Sequence, residues 1–85
     1  MKIFEYVITD EMGIHARPAG TLVKEAKKYA SEIVVTCNNA SADATKLMAL
    51  MSLGVKKGMK VEVMVNGRDE NAAFDAMEKF FKENL

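Results

Sequence analysis

The sequence of 85 residues has no tryptophan, a single proline, a single cysteine and a single histidine, and its formal net charge is zero. Each scarcity excludes something. Cys37 has no second cysteine to pair with, and one cysteine with one histidine cannot assemble a His/Cys zinc site; neither metal nor cofactor is expected. Twelve basic residues are balanced by twelve acidic ones. The basic excess of a nucleic-acid binder is missing, and no nucleic-acid partner is expected. No apolar run approaches the roughly twenty residues that cross a bilayer, so membrane insertion is not expected. The N-terminal stretch is broken by Glu5, Asp10 and Glu11 and does not read as a secretory leader. A cytoplasmic location is the natural expectation.

What is present describes one small domain over residues 1–85. Hydrophobic residues make up 49% and charged residues 28%, the balance of a globular chain rather than a disordered one. Residues 2–9 are rich in aromatic and β-branched types and predict a strand. Ala19, Leu22, Val23, Ala26 and Ala30 recur at helical spacing. Residues 32–37 predict a second strand, Asn38-Asn39 a tight turn, and 40–43 a short strand paired back across it. Residues 46–53 predict one or two helical turns, with Thr45 as a possible N-cap and Gly54 as the stop. Val61, Val63 and Val65 alternate in a strand over 60–66. A last helix begins at Glu70, capped by Asp69, with Ala73, Met77, Phe80 and Phe81 facing inward. The order βαββαβα predicts an α+β open-faced sandwich: a four-stranded antiparallel sheet with three helices on one face.

The chemistry concentrates in Gly13-Ile14-His15-Ala16-Arg17-Pro18-Ala19. Pro18 is tolerated only in the first turn of a helix, which sets the helix start near Ala16 and makes His15 the N-cap. The backbone N–H groups of Ala16 and Arg17 then lack intrahelical partners and, with the positive end of the helix dipole, form an anion site. The Arg17 guanidinium suits phosphate oxygens. A helix N-terminus disfavours a protonated imidazole, which predicts a neutral, nucleophilic His15. Such a terminus contributes ~0.3–1 kcal/mol per charge, enough to hold an anion without trapping it. Residue types alone leave open a plainer reading, in which His15 is only a polar cap.

The segment GIHARPA resembles the active-site signature of HPr, the histidine-containing phosphocarrier of the bacterial sugar phosphotransferase system. KLMALMSLGVKKG, residues 46–58, resembles that family's second helix and following loop, and the likeness extends along essentially the whole chain. The resemblance implies that enzyme I, charged from phosphoenolpyruvate, phosphorylates Nδ1 of His15, and that the group passes to IIA domains of sugar transporters. Arg17 matches the family's active-site arginine. It implies a stoichiometric carrier rather than an independent catalyst. The alternative is a specialised or regulatory paralogue serving a phosphorelay other than bulk sugar uptake. An enzyme or ligand-binding module would need more convergent polar groups than His15 and Arg17 supply.

Gly20, Thr21, Lys24 and Lys27 form a basic strip with Arg17 on the first helix, and Leu47, Met48 and Met51 can face solvent on the short one. Together they predict an apolar docking patch edged by positive charge, although residue types alone equally allow the methionines to fill the core. The family resemblance favours docking by a monomer. Two residues depart from the family. Lys46 stands where Gram-positive members carry a serine phosphorylated by an ATP-dependent kinase, so no such switching is expected. Met12 replaces a small polar residue, and its side chain cannot supply a hydrogen bond to the active-site loop.

Overall fold

Alternating valines explain the centre of the molecule. In the computed structural model, which describes residues 1–85, the elements are β1 (Lys2–Val7), α1 (Ala16–Ala26), β2 (Glu32–Cys37), β3 (Ala40–Asp43), α2 (Leu47–Ser52), β4 (Lys60–Asn66) and α3 (Glu70–Asn84). The sheet order is β1-β4-β2-β3, antiparallel throughout. Flanked on both sides, β4 buries Val61, Val63 and Val65, and Val63 lies opposite Phe4 on one neighbour and Val35 on the other. The helices cover this face, while Ile3 and Val7 are exposed on the other. This is the expected open-faced sandwich.

Asn38 and Asn39 both take positive φ, 52° and 68°, the geometry that a two-residue hairpin of the matching twist requires. Cys37 is buried beside that turn as a free thiol. Helix α3 lies against β1 and β4 and brings Phe81 edge-on to Phe4 and Tyr6, with ring centroids 5.8 and 5.9 Å apart. Helix α2 is six residues long and buries only Leu50. A helix so short has no independent stability. It persists because that leucine fills the core, and Leu50 burial of this kind stabilises by ~1.5–3 kcal/mol.

Four expectations need correction. Strand β1 ends at Val7 rather than Thr9, because Thr9 and Asp10 turn away to donate their N–H groups to the Leu85 oxygen. Helix α1 ends at Ala26, so Ala30 lies outside its apolar stripe and is exposed. The N-cap of α2 is Lys46, not Thr45, whose N–H and hydroxyl instead donate to Asp43 Oδ1. Those bonds, the hydroxyl's first, hold the Asp43 carboxyl below its usual range. Asp69 occupies the N-cap position of α3 but makes no capping bond. Its carboxylate accepts instead from the Ala30 N–H, the Ser31 N–H and the Ser31 hydroxyl, tying the α3 start to the entry of β2.

Candidate functional site

The loop between β1 and α1 is held from two sides. The Met12 N–H donates to Asp10 Oδ1 at 2.8 Å and the Gly13 N–H to the Asp10 carbonyl at 3.0 Å, which closes a tight turn. From one end of the fold the Leu85 oxygen accepts the Asp10 N–H at 2.8 Å. From the other, Val55 accepts the Ile14 N–H at 3.1 Å. Gly13 adopts φ 65°, and a Cβ there would collide with the Val55 carbonyl oxygen. Only glycine permits that approach. The two sequence motifs are therefore physical neighbours: the loop after α2 is the floor on which the histidine loop rests.

Beyond Ile14 the chain enters α1 with His15 as N-cap, extended at φ −108° and ψ −176°, and without a side-chain capping bond. The N–H groups of Ala16 and Arg17 have no protein partner, Pro18 has none to offer, and the first satisfied donor is Ala19, bonded to the His15 carbonyl at 2.9 Å. No acidic residue occupies the first turn. The His15 side chain is 33% exposed. Together with Asp10, Arg17, Pro18, Thr21 and Asn84 it lines a shallow cleft. An accessible imidazole thus shares one cleft with Arg17 at a helix start whose first amides are unpaired, an arrangement that can attack an electrophilic phosphorus and then hold the attached anion. No cluster of three His, Cys, Asp or Glu side chains is placed to hold a metal ion.

Of the residues expected to bind partners, Thr21, Lys24 and Lys27 are exposed and Gly20 is half-buried with open space above its Cα. On α2, which packs beside α1, Met48 is 71% exposed, with Leu47 and Met51 exposed to a lesser degree. The methionines of this helix do not fill the core. Met12 points to solvent, and its side chain makes no bond to the loop; its backbone N–H donates to Asp10, a bond that any residue other than proline can make. Asp10 was not singled out by the sequence, although an Asp three residues before a Gly is a usable turn signal. Asn84 lies far from His15 in the chain and carried no local signal at all.

A protein-family model described as the PTS HPr component phosphorylation site matches residues 3–83. The phosphocarrier protein HPr of Mycoplasma capricolum is 34% identical over 79 residues, which cover 93% of this chain and 89% of that protein. Among solved structures, HPr of Thermoanaerobacter tengcongensis superposes with a TM-score of 0.92 at 36% identity, covering 98% of this chain and 93% of the other. A structure of a dimer of that HPr matches with a TM-score of 0.77 at the same 36% identity, covering 98% and 95% of the two chains.

Proposed function

The chain belongs to the HPr family, the phosphocarriers of the phosphotransferase system, and on that footing we propose that His15 is its phosphoryl acceptor, charged by enzyme I and discharged to IIA domains of sugar transporters. One observation carries the assignment: His15 is solvent-accessible at a helix start whose Ala16 and Arg17 amides have no protein partner and whose first turn has no carboxylate. The Nδ1 lone pair forms a bond to phosphorus, and the donor's bond to phosphorus breaks with its electron pair staying on the donor. The new negative charge is then met by the Ala16 and Arg17 N–H groups and the Arg17 guanidinium.

Docking falls to the exposed faces of the two neighbouring helices. Leu47, Met48 and Met51 supply an adaptable apolar centre, and Thr21, Lys24 and Lys27, with Gly20 leaving room between them, supply a basic rim for acidic partners. All these groups come from one chain, so a monomer suffices for transfer. No helix is long and apolar enough to cross a membrane, which agrees with a carrier that shuttles between partners in the cytoplasm. Lys46 at the start of α2 offers no hydroxyl to a regulatory kinase.

Incubation with enzyme I and phosphoenolpyruvate tests the assignment. Acid-labile, base-stable phosphate is expected on the wild type and absent from His15→Ala, and Arg17→Ala is expected to accept it more slowly. Equal labelling of His15→Ala and the wild type would end this reading.

A further inference from the structure

One carboxylate stands within ion-pair reach of the acceptor ring: Asp10 Oδ1 lies 4.0 Å from His15 Nε2. We infer that Asp10 is a positioning residue for phosphoryl transfer, holding the Nε2–H edge of the ring so that the Nδ1 lone pair stays free, and offsetting the positive charge the ring acquires when the group arrives. The inference rests on His15 being the acceptor and adds a residue that acts through it.

The carboxylate is built into place. Its Oδ1 already accepts the Met12 N–H at 2.8 Å, its carbonyl accepts from Gly13 at 3.0 Å, and its own N–H is held by Leu85 at 2.8 Å. Side chain and backbone are therefore both anchored, and little conformational freedom is lost in facing the ring. At 4.0 Å the contact is longer than a hydrogen bond. It is an approach that tightens once charge develops on the imidazole, as contacts in unliganded sites commonly do.

The charge follows from electron counting. A neutral ring that carries its proton on Nε2 presents a lone pair on Nδ1. When that pair bonds to phosphorus and the donor atom departs with its own pair, the Nε2 proton remains and the ring becomes a phosphoimidazolium cation. Onward transfer returns the N–P electron pair to the ring and restores the neutral imidazole. The ring atom paired with Asp10 is Nε2, which keeps its proton, and not Nδ1, where the group attaches. The carboxylate therefore favours the cation without directly opposing the phosphoryl oxygens. An imidazole held in one tautomer by a carboxylate on its far nitrogen is a recurrent device of nucleophilic and general-base catalysis.

Two substitutions separate charge from turn geometry. Asp10→Asn keeps an oxygen for the Met12 N–H and removes the charge; Asp10→Glu keeps the charge but cannot close the same turn. With phosphorylated enzyme I as donor, Asp10→Asn is expected to lower kcat about fivefold with KM unchanged, the scale of a water-screened charge pair at this separation. Asp10→Glu is expected to recover most of that loss. Ring 15N shifts of unphosphorylated protein are expected to report a larger fraction of the Nδ1–H tautomer in Asp10→Asn than in the wild type. Unchanged kcat and ring shifts in Asp10→Asn, alongside a wild type that is phosphorylated on His15, would overturn this inference alone. Loss of kcat in Asp10→Glu but not in Asp10→Asn would overturn it in favour of turn geometry. A wild type that takes no phosphate on His15 would overturn the carrier reading and this one together.

Discussion

Helices α1 and α3 begin in opposite ways. Both leave first-turn amides without a protein partner, Ala16 and Arg17 on α1, Asn71 and Ala72 on α3. Orphan amides occur at every helix start and cannot by themselves mark a site. The surrounding charge differs. At α3, Asp69 and Glu70 place two carboxylates against the positive end of the dipole, and both are bonded: Asp69 to Ala30 and Ser31, Glu70 to the Gly67 N–H at 3.2 Å. At α1 the first turn has a guanidinium and no acid. Asp10 stands within ion-pair reach of the site, with its Oδ1 4.0 Å from His15 Nε2. The α3 start has its counter-charge built in; the α1 start lacks one, and a phosphoryl group would supply it.

The largest effect comes from abolishing that difference. His15→Asn removes the nucleophile and introduces a preferred capping side chain, although only the Arg17 N–H is within its reach because Pro18 has no N–H. Phosphoryl acceptance is expected to vanish while the fold gains about 0.5–1 kcal/mol. Urea denaturation beside the labelling assay measures both. Lower stability together with lost transfer would mean that His15 holds the structure rather than keeping a terminus open. Next comes the support beneath the open start. Gly13→Ala places a methyl group against the Val55 carbonyl at a positive φ and is expected to cost about 2–3 kcal/mol in the same denaturation measurement. Gly54→Ala also bears a positive φ but meets nothing within 4 Å, so it should cost less. Equal costs would show that the close approach at Gly13 carries no strain.

The contrast between the two ends also separates what was legible in the sequence from what was not. Valine alternation in β4, the Asn38-Asn39 turn and the placement of His15 by Pro18 are local consequences of backbone and side-chain shape, and each could be read in a window of a few residues. The exposure of Met48 was readable only as one of two options, because a six-residue helix has too few positions to establish a period. What escaped reading depends on distant partners. Asp69 carries every local sign of a cap, yet its carboxylate is taken by Ser31, thirty-eight positions earlier. Asp10 comes to the ring because Leu85 and Val55, both distant in sequence, hold the loop by its Asp10 and Ile14 N–H groups. Local chemistry located the site; tertiary contacts decided which neighbour serves it.

The smallest expected effect is a pH dependence to which the closed end contributes. Ser31's hydroxyl first, and then the Ala30 N–H, hold the Asp69 carboxyl below its usual range; the Gly67 N–H does the same for Glu70, with the Met1 amine second. A carboxyl depressed in the folded state binds protons more weakly there than in the unfolded chain. Its stabilisation is therefore complete above the ordinary carboxylate range and is lost as pH falls through the depressed value. The wild type should lose thermal stability below about pH 4, where free carboxylates begin to protonate. Asp69→Asn should melt lower at neutral pH, because the amide replaces a charge-assisted acceptor with a neutral one. Its melting temperature should then change less on acidification, with Glu70 and Asp43 supplying the slope that remains. Thermal melts of both proteins from pH 7 into the acid range measure the difference. Parallel curves would remove Asp69 from the account of what closes that end, and with it half of the contrast between the two helix starts.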